Sequence, residues 1–365
     1  MAATDATVLG KLSTLDRFLP LWIALAMGAG LGLGSLIPSL NAGLDKLRVG
    51  TVSLPIALGL LLMMYPVLAK VRYEELGRKQ ADGVSNRLFF GVSLFLSWVI
   101  GPLFMFALAW LLLPDQPAYR TGVIIVGLAR CIAMVLIWND LAKGDRDRAA
   151  ILVVFNAVFQ VAAFSLLGYF YLTLLPGWLG LDTQGFQPGI WEIARTVLIF
   201  LGIPLVAGFL TRRVALERRG RDWYEERFLP RIGPLTLYGL LFTIVLLFAI
   251  QGERIMSQPL DVARIALPLL VYFAVMWIAG FAAGKVLRLP YAQTASLAFT
   301  VASNDFELAI AVAVGVFGAQ SGQALAGVVG PLVEVPVLVG LVYVALWLSA
   351  HLRWPEPLGV PPGAA

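Results

Sequence analysis

The 365-residue chain has one cysteine, Cys131, which stands beside Arg130 inside the apolar stretch that runs from Gly127 to Asp145. A free cysteine in such surroundings is most often a small apolar filler. The adjacent guanidinium alters that reading, because a positive field favours the thiolate, the form that acts as nucleophile or soft ligand. Consecutive helical residues point about 100° apart, so these two side chains share a cavity only where the helix is unwound. A second polar group lies far along the chain, where Asn304, Asp305 and Glu307 interrupt the apolar segment from Thr300 to Val312. Asn304 and Glu307 fall on one helical face at i, i+3 spacing. Desolvation and a neighbouring Arg130 would pull on the Glu307 proton in opposite directions, which gives substrate occupancy a route to proton binding. Glu334 sits between Pro331 and Pro336, where broken helix hydrogen bonds would turn free carbonyls toward a cavity. Asn156 and Gln160, one turn apart, suit interhelical hydrogen bonds and ion coordination equally, and with Asp305 they are secondary candidates.

The elements that carry these residues are membrane helices. Hydrophobic residues make up 59% of the chain and charged residues 13%, against roughly 45–50% and 25% in soluble domains. The charges cluster in short segments between long apolar runs, and the runs lack the period-two alternation of a barrel. Lipid cannot satisfy free backbone groups, so the runs must be helices. Ten candidate spans are long enough to cross the hydrocarbon core, about 20 residues each. They lie at 19–38, 51–69, 88–113, 121–142, 149–174, 190–212, 231–250, 262–287, 292–317 and 323–350. The first is read as retained, since no small-residue cleavage site follows it.

With the N-terminus cytoplasmic, 20 of the 27 Lys and Arg residues face inward and 5 outward, Arg130 and Arg195 being inside spans. That asymmetry places both termini in the cytoplasm of a multi-pass plasma-membrane protein. It also accounts for the net charge of +5 without a nucleic-acid partner. The expected organisation is a cytoplasmic tail at 1–18, then a first five-helix repeat and helix 6 over 19–211, with a repeat boundary near 175–190. A basic cytoplasmic loop at 212–231, helices 7–10 over 232–350 and a C-terminal tail at 351–365 follow. Five spans per half is an odd number, so two halves of one fold must lie in opposite orientations. The fourth and ninth spans, in corresponding positions, are the two interrupted by polar residues, which is where inverted-repeat transporters place substrate. Trp138, Asn139 and Asp140 read as an interfacial end of the fourth span, and His351, beside Arg353 and Trp354, as an interfacial anchor.

Several function classes are disfavoured. No loop exceeds roughly 20 residues and no phosphate-cradling GxxxxGKS/T or GxGxxG motif occurs, so energy must come from an ion gradient or another subunit, and the sequence requires no ATPase partner. An intramembrane enzyme with Cys131 as nucleophile lacks a nearby base, His351 being at the far end of the chain. Ten spans with paired breaks argue against a receptor without transport.

The strings Arg130-Cys131-Ile132-Ala133-Met134-Val135 and Asn304-Asp305-Phe306-Glu307 resemble those of the arsenite efflux permeases of the arsenical-resistance-three family, within the bile acid/sodium symporter superfamily. The resemblance extends over the whole chain in span number and order. It implies ten transmembrane helices in two inverted five-helix repeats, with discontinuous helices 4 and 9 crossing in a core domain that packs against a panel domain. It further implies extrusion of arsenite, often antimonite, in exchange for protons, with no cofactor. The expected substrate-binding residues are Cys131, Arg130, Asn304 and Glu307, with Cys131 the ligand to arsenic(III) as cargo, and Glu307 and Glu334 coupling to protons. The chemistry is sensible: arsenic(III) is a soft, thiophilic centre, and a single thiol both binds and releases it, as a carrier must. The rival reading is a sodium-coupled symporter of an organic anion on the same fold, drawing on Glu307, Gln160 and Asn156.

Overall fold

Proline marks helix starts along this chain: Pro20, Pro55 and Pro117 each stand in the first turn of a helix. There the missing N–H costs nothing and the fixed φ suits the helix. A computed structural model describes residues 18–37, 40–49, 52–74, 84–181, 188–257 and 259–355. Most of the expected N-terminal tail and residues 356–365 of the C-terminal tail lie outside the described residues.

Helix α1 (Leu19–Leu36) and short α2 (Leu40–Lys46) precede a two-stranded antiparallel hairpin, β1 (Arg48–Val49) and β2 (Val52–Ser53), which pairs Arg48 with Ser53. Then come α3 (Leu54–Lys70), α4 (Val84–Phe95) and α5 (Gly101–Leu112), the last two joined into one rod by a π-helical turn at Leu96–Ile100. The next crossing is broken into α6 (Pro117–Leu128) and α7 (Met134–Leu141). Helix α8 (Arg146–Tyr169) continues through a π turn into α9 (Leu175–Trp178), and α10 (Ile190–Val197) through another into α11 (Ile203–Arg219). Long α12 (Leu229–Ser257) and α13 (Pro259–Val286) lead to a second broken crossing, α14 (Tyr291–Ala302) and α15 (Phe306–Phe317), and α16 (Gly322–His351) ends the fold.

Among the described residues, six helical rods are long and apolar enough to cross a membrane: 87–112, 146–178, 190–219, 223–251, 260–286 and 322–351. Shorter apolar helices cover 21–36, 54–70 and 306–317. The spans expected at 121–142 and 292–317 are not continuous rods, because each breaks at its polar residues. Large apolar side chains on outward faces, including Leu58, Leu111, Leu198, Ile203 and Ile278, are exposed, as a surface bathed in lipid requires.

The basic segment at 212–231, expected as a loop, is helical on both sides of Gly220. Its Ala, Leu, Glu and Arg residues are strong helix formers, and Arg213 pairs with Glu217 at i, i+4, 3.2 Å apart. Polarity marks such a segment as outside lipid without marking it as irregular. Gly220, at φ 82°, supplies the left-handed residue that ends α11.

Helix α12 packs along α1 and α3, and α3 also packs on α11. The corner where these elements meet is held by charge. Arg212, 2% exposed, donates from Nη2 to Glu74 Oε1 at 2.6 Å and from Nε to Glu74 Oε2 at 3.0 Å. Glu225 accepts from Arg212 at 3.4 Å and from Arg72 at 3.4 Å, while Tyr224 Oη donates to the Ala69 carbonyl at 2.9 Å. Burial would raise the Glu74 pKa, but the hydrogen bonds from Arg212, with the charges of Arg212 and Arg221, hold it below the usual carboxylate range. A depressed carboxylate contributes stability that is present above its unfolded pKa of about 4.3 and lost as pH falls through the folded value. Glu74→Gln should therefore lower the melting temperature of the detergent-solubilised protein by about 2–4 °C at pH 7. It should also flatten the decline in stability below about pH 4, as a differential scanning fluorimetry series over pH would record.

Candidate functional site

Two helices that break at membrane depth free backbone N–H and C=O groups that lipid cannot satisfy. Here each break satisfies the other. Ala129 and Ser303 are extended, at φ −81°, ψ 118° and φ −77°, ψ 141°, and Arg130 pairs with Asn304 as an isolated antiparallel β-bridge. Asp305 N–H donates to the Ala129 carbonyl at 3.1 Å. Side chains complete the joint: Asn304 Nδ2 donates to the Val126 carbonyl and the Arg130 guanidinium to the Gly127 carbonyl.

Each break also begins a new half-helix whose first N–H groups need acceptors. Asp305 Oδ1 accepts from Leu308 N at 2.9 Å and caps α15. Cys131 Sγ accepts from Val135 N at 3.3 Å in the first turn of α7. Thiol and carboxylate thus occupy equivalent places, each at the start of a half-helix beyond the bridge.

Arg130 is fully buried, and its guanidinium does not meet Glu307. It donates from Nη1 to Tyr272 Oη at 2.8 Å, and among the described residues it forms no ion pair. Gly101 makes room for that contact, since a Cβ there would lie 2.9 Å from Tyr272 Oη and 3.0 Å from Arg130 Nη1. The guanidinium partner expected from the ninth span lies instead on α13 and α6, at Tyr272 and the Gly127 carbonyl, and the ninth span meets Arg130 through the backbone bridge at Asn304. Tyr272 was not foreseen. Its signal was a hydroxyl inside the apolar run of α13, because a buried Tyr O–H usually finds a partner.

Asn156 and Gln160 are both buried on α8 and hold the strand around the thiol. Asn156 Nδ2 donates to the Cys131 carbonyl at 3.4 Å, and Gln160 Oε1 accepts from Arg130 N at 3.1 Å. From α16, the buried Glu334 completes the surround, its Oε1 without a hydrogen-bond partner among the described residues. Glu307 is half-buried in the first turn of α15, two residues beyond Asp305. Cys131, 4% exposed, follows Arg130 of the bridge as Asp305 follows Asn304. The buried atoms Arg130 Nε, Gln160 Nε2, Asn304 Oδ1, Asp305 Oδ2 and Glu334 Oε1 have no hydrogen-bond partner among the described residues. They give the crossing a polar lining of both donors and acceptors beside one sulfur.

Trp138 and Asn139, expected at an interface, are instead buried, and Asn139 Oδ1 accepts from Ser296 Oγ at 2.6 Å. The hydroxyl reaches them from α14, a neighbour the local sequence cannot display. Asp140 is exposed and lies 3.6 Å from Arg146, and His351 is exposed with Nδ1 2.8 Å from the Trp347 carbonyl.

The pattern of the sodium bile acid symporter family matches residues 57–258, which include the first break and Cys131. The chain is 56% identical over 347 residues to the arsenical-resistance protein Acr3 of Corynebacterium glutamicum, covering 95% of this chain and 93% of that one. It belongs to the Acr3 arsenical-resistance family. A second Acr3, from Alkaliphilus metalliredigens, is 32% identical over 342 residues, covering 90% of this chain and 92% of that one. An uncharacterized transporter of Synechocystis sp. is 35% identical over 353 residues, covering 91% and 88% of the two chains. The apolar rods described above are therefore those of a multi-pass membrane transporter family.

In this Acr3-family chain the crossing is wedged from α16, because a Cβ on Gly330 would lie 1.7 Å from Phe306 Cε1, at the first residue of α15. Gly340, on the same helix, has nothing within 4 Å of such a Cβ. Gly330→Ala should cost about 1–3 kcal/mol by overpacking, whereas Gly340→Ala should be neutral or stabilising by up to about 1 kcal/mol. Thermal unfolding of the two purified variants, side by side, checks both.

Proposed function

We propose that the chain extrudes trivalent arsenic, as arsenite, from the cytoplasm across the plasma membrane in exchange for protons. Antimonite, with the same thiophilic chemistry, is proposed as a second cargo. The observation that carries this reading is the placement of the solitary Cys131 thiol at the start of one half-helix, next to the bridge that brings Asp305 to the start of the other. A 56% identical relative that bears an arsenical-resistance name supports it.

Arsenous acid is neutral near pH 7 and reaches the site without the desolvation cost of an ion. The Cys131 thiol and one hydroxyl of As(OH)3 condense to a sulfur–arsenic bond and a molecule of water, and the reverse step releases the cargo. The remaining hydroxyls bond to Asn304 Oδ1 and Gln160 Nε2, polar atoms with no hydrogen-bond partner among the described residues. Arg130, held by Tyr272 and the Gly127 carbonyl, keeps the strand extended and lends positive potential where the thiol exchanges its proton. Glu307 carries the counter-transported proton, and Glu334 is its second acceptor. In this scheme each broken pair, α6 with α7 and α14 with α15, is one crossing, which makes ten spans in two inverted halves with both termini cytoplasmic. Helices α1, α3, α10 to α11 and α12 form the panel, and the remaining spans form the core.

Cys131→Ser should lower the initial rate of arsenite uptake into everted vesicles at least about tenfold, the equivalent of ~1.4 kcal/mol. Comparable membrane levels of the two proteins make the comparison valid. Full transport by the variant would refute the thiol's role. Glu307→Gln should abolish the response of uptake to an imposed pH gradient, and a sodium gradient should drive neither protein. Retained pH-driven exchange in that variant, or sodium-driven uptake in the parent, would overturn the coupling scheme.

A further inference from the structure

A hydrogen bond from Trp98 reaches the strand at the first break in two steps. Trp98 stands in the π-helical turn Leu96–Ile100 between α4 and α5, and the wider turn changes which side chains the rod presents to α8. The indole is buried, at 7% exposure. Its ring meets Phe159 edge-on, with centroids 4.7 Å apart and planes at 82°, and Phe159 stacks on Phe155 at 5.0 Å. This aromatic packing aims Nε1 at Asn156 Oδ1, 3.2 Å away. The opposite end of the same amide, Nδ2, donates to the Cys131 carbonyl at 3.4 Å.

An indole N–H is a donor only, and a carboxamide has one accepting and one donating end. Asn156 must therefore turn its oxygen to Trp98, which leaves its nitrogen for Cys131. With the indole donor removed, Oδ1 is left buried without its donor, and the Cys131 carbonyl alone holds the amide in this orientation. A flipped amide would set oxygen against the Cys131 carbonyl oxygen, and the extended strand would lose one of its two attachments to α8, the other being Gln160 to Arg130 N. We propose that Trp98 is a positioning residue that sets the amide orientation of Asn156 and thereby holds the Cys131 strand in place. This deepens the proposed function, since it names a residue that governs the thiol assigned to arsenic there.

The test reads the thiol directly. Cys131 is the chain's one cysteine, so alkylation by N-ethylmaleimide in purified, detergent-solubilised protein reports that strand alone. Trp98→Phe keeps an aromatic ring against Phe159 and removes the donor; it should raise the alkylation rate about fivefold to tenfold, the effect of one ordinary hydrogen bond. Asn156→Ala should do the same, and the double variant should alkylate no faster than Asn156→Ala alone, because Trp98 acts through that amide. Asn156→Asp, which keeps an acceptor for the indole but loses the donor to Cys131, should match Asn156→Ala, and it serves if Trp98→Phe fails to fold. In vesicles Trp98→Phe should raise the arsenite KM more than it lowers the maximal rate. Parent-like alkylation of Trp98→Phe, or rates in the double variant that multiply, would overturn the relay, and so would parent-like alkylation of Asn156→Asp. Altered alkylation with unchanged arsenite transport would leave the relay standing and instead remove the thiol from the transport mechanism.

Discussion

The Arg130–Asn304 bridge is the contact on which the rest of the site depends. A helix that unwinds inside a membrane exposes polar backbone to a medium that cannot bond with it, at several kcal/mol for each unsatisfied group. The pairing of two such breaks, with Asp305 N–H on the Ala129 carbonyl and Asn304 on the Val126 carbonyl, removes that cost for both. It also explains why the chemistry-bearing residues are neighbours of the bridge. There the chain leaves the helix between two apolar half-helices, and consecutive residues such as Arg130 and Cys131 escape the 100° separation that a helix imposes.

Once the breaks are joined, four half-helix ends converge. Carbonyl ends of α6 accept from Asn304 and Arg130, whereas the starting turns of α7 and α15 receive Cys131 and Asp305. A helix N-terminus favours a negative group within its first turn. A thiol sulfur and a carboxylate can both accept the N–H groups of that turn. Packing supplies the rigidity that this geometry needs, through Gly101 beneath the Arg130–Tyr272 pair and Gly330 against Phe306. Far from the crossing, the Arg212, Glu74 and Glu225 group ties α3, α11 and the start of α12 together. One end of the bundle is thereby held independently of the site.

The sequence by itself determined the membrane environment, the helical class and the residues worth attention. Those properties are written in composition and in position along the chain: a thiol, a guanidinium and carboxylates inside runs that lipid would otherwise claim are costly wherever they end up. The two breaks were legible for the same reason, since polar clusters at membrane depth must leave the helix or be paired. Tertiary structure alone decided the partners. Arg130 meets Tyr272, 142 residues away, and not Glu307, because helix rotation and packing choose among polar groups that the sequence presents as equals. The segment at 212–231, read from its polarity as a connecting loop, has helical backbone on both sides of Gly220, because polarity reports solvent and not backbone conformation. Asn156, equivocal in the sequence, acquires its place from Trp98 and Cys131, 58 and 25 residues away. No local pattern encodes such a junction, because hydrogen bonds between helices depend on the relative register of rods whose order in space the linear chain does not display.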